Sequence, residues 1–187
     1  NQFKYFPMQA DKINWFRSAA GYIDAHKGKT FVVSLCDGTI SSENLEKIVS
    51  DCILLNTLGV RLAIVFNGDQ RIKNKLLSEW TGPKGKKITR FSQIGVLSEV
   101  IGSIRNELEA IFMSHSFHLP GGKKEILLTS GNFVKAKPLG IIDGVDFESS
   151  GEVRKVNALA INRQLDTNAI LLVPPIGFAP GGELFYL

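Results

Sequence analysis

The sequence is poor in the residues that build metal centres, disulfide frameworks and membrane spans. It has two cysteines, Cys36 and Cys52, and their spacing fits neither a zinc site nor a disulfide scaffold. Free thiols belong to a reducing compartment, so a cytoplasmic location is expected. The three histidines, His26, His115 and His118, form no ligand constellation. His115 and His118 fall beside Pro120 and read as helix-end residues, so no metal is expected. No apolar run approaches the ~20 residues that span a bilayer, and no signal-peptide pattern is present. No membrane partner is therefore expected. The first residue is Asn1 rather than Met, as in a trimmed chain. Aromatic residues make up only 9%. None is interleaved with the basic stretches at 84–90 (KGKKITR) and Lys123-Lys124, which read as solvated loop rather than a nucleic-acid surface.

What is present is enough for one packed domain: 187 residues, 44% hydrophobic and 21% charged, with net charge +4. Residues 11–25 set Ile13, Phe16, Ala20 and Ile23 on one helical face, while Trp15 and Tyr22 project elsewhere toward a possible partner. Residues 30–35 (TFVVSL) read as a strand buried on both faces. Ser41 or Ser42 is expected to cap a helix with Leu45, Ile48, Val49, Cys52 and Ile53 inward and Gly59 at its end. Residues 60–66 (VRLAIVF) complete a parallel, right-handed strand–helix–strand unit.

Further along, 71–80 is expected to be helical, 81–87 a loop, and 92–116 a long helix stopped by Pro120-Gly121-Gly122. Its inner residues are Leu97, Ile101, Ile104, Leu108, Ile111 and Phe112. Short strands at 125–129 and 132–137 flank Ser130-Gly131, and 138–151 reads as loop or small hairpin. A strand at 152–156, a helix at 157–166, a buried strand at 169–173 and a Pro/Gly turn into a last strand complete the chain. Alternating helices and apolar strands imply an α/β sandwich.

In such sheets ligands sit beyond the carboxyl ends of the strands, where glycine-rich turns let backbone N–H groups approach anions. Two turns occupy those positions, Cys36-Asp37-Gly38-Thr39 and Asn67-Gly68-Asp69-Gln70-Arg71. Each keeps one glycine and carries an aspartate, which would repel an acidic ligand by on the order of 1–4 kcal/mol. The candidate binding residues are Asp37, Gly38, Asn67, Gly68 and Arg71, and at most a weakly held acidic small molecule is expected. No residue is nominated as catalytic.

The stretch from Trp15 to Val32 (WFRSAAGYIDAHKGKTFV) resembles the start of the amino-acid-kinase-like domain of N-acetylglutamate synthases. So do Leu58-Gly59-Val60-Arg61-Leu62, Ser130-Gly131-Asn132-Phe133, Lys137-Pro138-Leu139-Gly140, Gly144-Val145-Asp146 and Gly182-Glu183. The resemblance implies an α/β, amino-acid-kinase-like αβα sandwich with a mostly parallel central sheet, N-terminal substrate lobe only. It implies one truncated domain over 1–187, with 1–28 an interaction helix and 29–187 the sheet-containing lobe. Trp15, Phe16 and Tyr22 become candidate oligomer contacts.

The departures from the family pattern fall at the ligand turns. Cys36-Asp37-Gly38 stands where the family carries Gly-Gly-Glu, and Asp69 where it carries an arginine. Tyr186 replaces an asparagine, and Lys87-Ile88-Thr89-Arg90 replaces Arg-Val-Thr-Asp. The resemblance further implies that acetyl-CoA and ATP sites lie in segments absent from this chain, so no cofactor is expected. The expected function is thus a non-catalytic fragment or remnant of a synthase of arginine biosynthesis. Its role would be structural, regulatory or oligomer-forming, as a homo-oligomer or with the missing C-terminal segment or a partner chain. The alternatives are a divergent acetylglutamate-kinase-like phosphotransferase and one half of a split enzyme.

Overall fold

The computed structural model describes residues 10–76, 81–116 and 126–187, with the side chains of 10, 11 and 16 outside that set. In chain order the elements are α1 (Ala10–His26), β1 (Thr30–Leu35), α2 (Asp37–Ile40), α3 (Leu45–Thr57), β2 (Arg61–Phe66), α4 (Asp69–Leu76) and α5 (Ile94–Ser116). There follow β3 (Leu128–Thr129), β4 (Val134–Pro138), β5 (Ile141–Ile142), β6 (Val145–Asp146) and β7 (Gly151–Val156). The chain closes with α6 (Ala158–Asp166), β8 (Ile170–Val173), β9 (Ile176–Phe178) and β10 (Leu184–Tyr186).

The main sheet is parallel throughout, in the order β1-β2-β8-β3. Alternation along β2 sends Leu62, Ile64 and Phe66 to one side, where they meet Val49 and Ile53 of α3 and Leu97, Ile104 and Leu108 of α5. Ala63 points to the other side, against Leu165 of α6 and Leu171 of β8. Helices on both faces of a parallel sheet make the αβα sandwich that the alternating pattern implies. Each fully buried Leu or Ile contributes about 1.5–3 kcal/mol.

The β1–α3–β2 unit forms as the sequence predicts, in the register Thr30↔Arg61 to Leu35↔Phe66. Gly59 closes α3 at φ +92°. The Val60 N–H donates to the Leu55 carbonyl at 3.0 Å and the Gly59 N–H to that of Asn56 at 3.1 Å. This paired closure requires a left-handed residue, which glycine supplies without strain. The start of α3 differs from expectation. The short α2 takes up 37–40, so the helix begins at Leu45, and neither Ser41 nor Ser42 caps it. Ser42 instead donates to the Thr39 carbonyl at 2.8 Å.

β1 is not buried on both faces. It is an edge strand, and α6 packs on β2 and β8, leaving Val32 67% exposed. The two short strands around Ser130-Gly131 also part company. β3 joins the main sheet, whereas β4 enters a second sheet ordered β10-β9-β4-β7. The stretch 138–151 contains the β5–β6 hairpin, turned by Asp143 (φ +51°) and Gly144 (φ +79°). α4 starts at Asp69, two residues before the expected start, and 77–80 lie outside the described residues.

Candidate functional site

Because β1 and β2 run parallel in register, Leu35 and Phe66 end side by side, and the turns that follow them meet. Between them opens a cleft of about 580 Å³ lined by Cys36, Asp37, Gly38, Asn67, Asp69 and Arg71, among others. Four of the five candidate binding residues thus line one cleft. Gly68, the fifth, is buried beneath it, where an added Cβ would come within 2.6 Å of Ile104 Cδ1 on α5. At Gly38 a Cβ would meet nothing within 4 Å. One glycine keeps the loop close to the helix and the other faces open space.

The polar groups of the cleft are largely engaged with one another. Asn67 Oδ1 accepts from the Asp37 N–H at 3.1 Å, and its Nδ2 reaches Asp69 Oδ2 at 3.5 Å. Asp37 Oδ2 accepts from the Gln70 N–H at 2.5 Å, in the first turn of α4. Asp37 Oδ1 is buried without a hydrogen-bond partner. Asp69 accepts from the Lys87 ammonium and the Tyr186 hydroxyl. Burial first, and the hydrogen bond to Asp69 second, push the Tyr186 phenol well above its ordinary range, so it stays protonated as a donor. Lys87 Nζ also lies 5.6 Å from the centre of the Tyr186 ring.

Arg71 points away from the role of a substrate clamp. Its guanidinium holds Glu107 of α5 at 2.6 and 3.3 Å and reaches Ser41 Oγ at 3.5 Å. The hydrogen bond to Glu107 raises its pKa above the ordinary arginine value. Among the described residues around this cleft, three carboxylates (Asp37, Asp69, Glu107) therefore meet two cations (Arg71, Lys87), and both of these cations are ion-paired. Cys36 is exposed at the rim, and its bond with Thr39 Oγ1 at 3.2 Å lowers the thiol pKa.

Glu107 is the participant that the sequence did not place in the site, whereas Lys87 and Tyr186 were legible there only as departures from the family pattern, without their bonds to Asp69. Arg71 and Glu107 are far apart along the chain, and only the packing of α4 on α5 brings them together. The Tyr186 substitution marks a changed site position, but nothing local reveals its bond to Asp69. Of the candidate oligomer contacts, Trp15 and Tyr22 are 70% and 73% exposed, and Phe16's side chain is outside the described set. No described side chain of α1 is buried, although Tyr22 stacks on His26 at 4.2 Å. Among the described residues no cluster of metal ligands occurs and no helix is long and apolar enough to cross a membrane. His118 and the Lys123-Lys124 pair lie outside those residues.

No family model matches the chain. It is 38% identical over 180 residues to an amino-acid acetyltransferase of Ectopseudomonas mendocina, covering 95% of this chain and 42% of the relative. It is 37% identical, with the same coverage, to one of Azotobacter vinelandii. Among solved structures it resembles N-acetylglutamate synthase of Neisseria gonorrhoeae complexed with coenzyme A and N-acetyl-glutamate. There the TM-score is 0.82 and the identity 30%, over 94% of this chain and 40% of that one. The same enzyme with coenzyme A and L-arginine gives a TM-score of 0.81. The chain thus spans about two fifths of the length of these relatives. By sequence and by fold, it corresponds to the N-terminal, amino-acid-kinase-like part of the N-acetylglutamate synthase family.

Proposed function

We propose that this chain is a non-catalytic module of the N-acetylglutamate synthase type, serving arginine biosynthesis through assembly or regulation. The observation that carries this reading is the state of the cleft's cations: Arg71 is bound to Glu107 and Lys87 to Asp69. An acidic substrate approaching within about 4 Å of Asp37 meets about 1–4 kcal/mol of repulsion. That corresponds to a loss of about fivefold to about a thousandfold in affinity. Phosphoryl or acyl transfer needs preorganised positive charge where negative charge develops, and here that charge is already neutralised. Acetyl-CoA and ATP are assigned no site on this chain.

Assembly has two supports. α1 presents Trp15 and Tyr22 to solvent, and large aromatics of this kind are enriched at interface centres. On the α6 side, Val32 of β1 and Val153 of β7 are more than half exposed. The reading is therefore of α1 as a contact between copies and of the bare β1 face as the seat of a further segment or partner chain. Two measurements test it. The chain with Mg-ATP and N-acetylglutamate should release no ADP above background, and turnover would overturn the non-catalytic reading. Trp15→Ala should lower the mass found by sedimentation, and an unchanged mass would remove α1 from the assembly.

A further inference from the structure

One row of side chains crosses the second sheet. Lys155 of β7 pairs with Lys135 of β4, Lys135 with Phe178 of β9, and Phe178 with Leu184 of β10. Residues paired across strands share a face, so two ammonium groups, a ring and an aliphatic chain stand side by side. Like charges directly opposite one another oppose strand pairing. Lys137, two residues along the same face, is answered by Glu152 at 2.7 Å, whereas Lys135 and Lys155 have no ion pair among the described residues. At its apolar end the row enters a cavity of about 290 Å³ between α5, β9 and β10, lined by Ile101, Arg105, Asn132, Ile176, Phe178 and Leu184, among others. This cavity shares no lining residue with the cleft, and among the described residues no carboxylate lines it. Its Arg105 Nε lies 3.5 Å from Glu109 in a pair whose side chains are both nearly half exposed, which holds the guanidinium only weakly. Arg71, by contrast, is held by a short, two-pronged bond. Gly102 of α5 also lines the cavity. A glycine inside a helix costs stability relative to alanine, yet an added Cβ here would meet nothing within 4 Å. Packing does not require this glycine, and its missing side chain keeps the cavity open.

We propose that this cavity binds a small anion carried on a flat apolar body, of which an arylalkanoate is the simplest form. The apolar body lies against Ile101, Phe178 and Leu184, and the carboxylate is held by Arg105 and Lys135. Sites for small molecules have this make-up, a mainly apolar concavity with a few polar groups that fix orientation. The strand spacing of about 4.8 Å sets Lys135 one step from Phe178, a step that a carboxylate two carbons from a ring can span. Neither Arg71 nor Lys87 enters the site, so it stands whether or not the cleft is catalytic.

Titration followed by amide resonances tests this. The chain is titrated with phenylpropanoate, with propanoate (the charge without the ring) and with phenylpropanol (the ring without the charge), at constant ionic strength. Phenylpropanoate should saturate with a Kd of about millimolar or below, moving the Gly102, Asn132 and Phe178 amides and leaving those of Asp37 and Gly68 in place. Propanoate and phenylpropanol should each bind at least about fivefold more weakly. Lys135→Gln, at an exposed position, should weaken phenylpropanoate by about twofold to fivefold. Gly102→Leu fills the cavity and should abolish saturation. Leucine is the better helix former, so this variant should melt no lower than the parent chain. If it does not fold, Arg105→Gln decides, with the same weakening expected as for Lys135→Gln. Phenylpropanoate shifts that do not saturate, or that fall on the cleft amides instead, overturn the proposal. So does equal binding of phenylpropanol or propanoate, a folded Gly102→Leu that binds like the parent, or unchanged affinity in the glutamine variants.

Discussion

If Arg71 is committed to Glu107 rather than to a ligand, the pair must show itself as a coupling energy. The guanidinium makes two bonds to one carboxylate, at 2.6 and 3.3 Å, a geometry that fixes both side chains. Both are about one-third exposed, at 31% and 36%, so solvent screens much of the Coulomb term. Exposed pairs give about 0.2–1 kcal/mol in double-mutant cycles. The two-pronged contact belongs at the top of that range, about 1 kcal/mol. The assay is urea unfolding of the parent chain, Arg71→Ala, Glu107→Ala and the double variant, with the midpoint converted at constant m. The double variant should be more stable than the sum of the single losses predicts, by about 1 kcal/mol, and less so in 1 M salt, where the Debye length is about 3 Å. Losses that simply add would show that Arg71 is not engaged by Glu107 and remains available as a clamp.

Two further outcomes follow from the described packing. Gly59→Ala forces a Cβ into a φ of +92° and within 3.1 Å of Lys27 Cγ. The left-handed conformation alone costs about 1–2 kcal/mol, so the melting temperature should fall by about 2–8 °C. The two thiols should separate chemically: exposed Cys36, with its lowered pKa, reacts readily with a disulfide reagent, whereas buried Cys52 reacts only on unfolding. Burial raises Cys52 from 9.0 to about 11. Its contribution to stability is therefore full below about pH 9 and lost as the pH rises toward about 11, because only the unfolded chain releases the proton in that window. Cys52→Val should flatten this part of the stability profile relative to the parent chain.

The sequence carried the local structure well because local signals are strong. Apolar periodicity marks α3 and α5, and Gly59 marks the closure of α3. The continuous run 60–66 marks β2, which is covered on both sides. Where reading failed, the missing information was long-range. Val32 sits in an apolar run as convincing as that of β2, but strand order makes β1 an edge, and no sequence period encodes strand order. β3 and β4 look like a hairpin until their partners are known. At the site, Asp37 and Asp69 were legible as charges in the wrong place for an anion. Their partners were not, because Gln70, Lys87 and Tyr186 arrive from separate elements. The commitment of Arg71 was hidden for the same reason, since Glu107 lies on the opposite helix.

With its cations paired, the cleft should not take the acidic ligand its fold position would suit. Calorimetric titration of the parent chain with N-acetylglutamate tests it most directly. No saturable heat is expected at millimolar ligand. A one-to-one isotherm with a micromolar Kd would contradict it, because an anion would then be binding beside Asp37 with both cations of the cleft already paired.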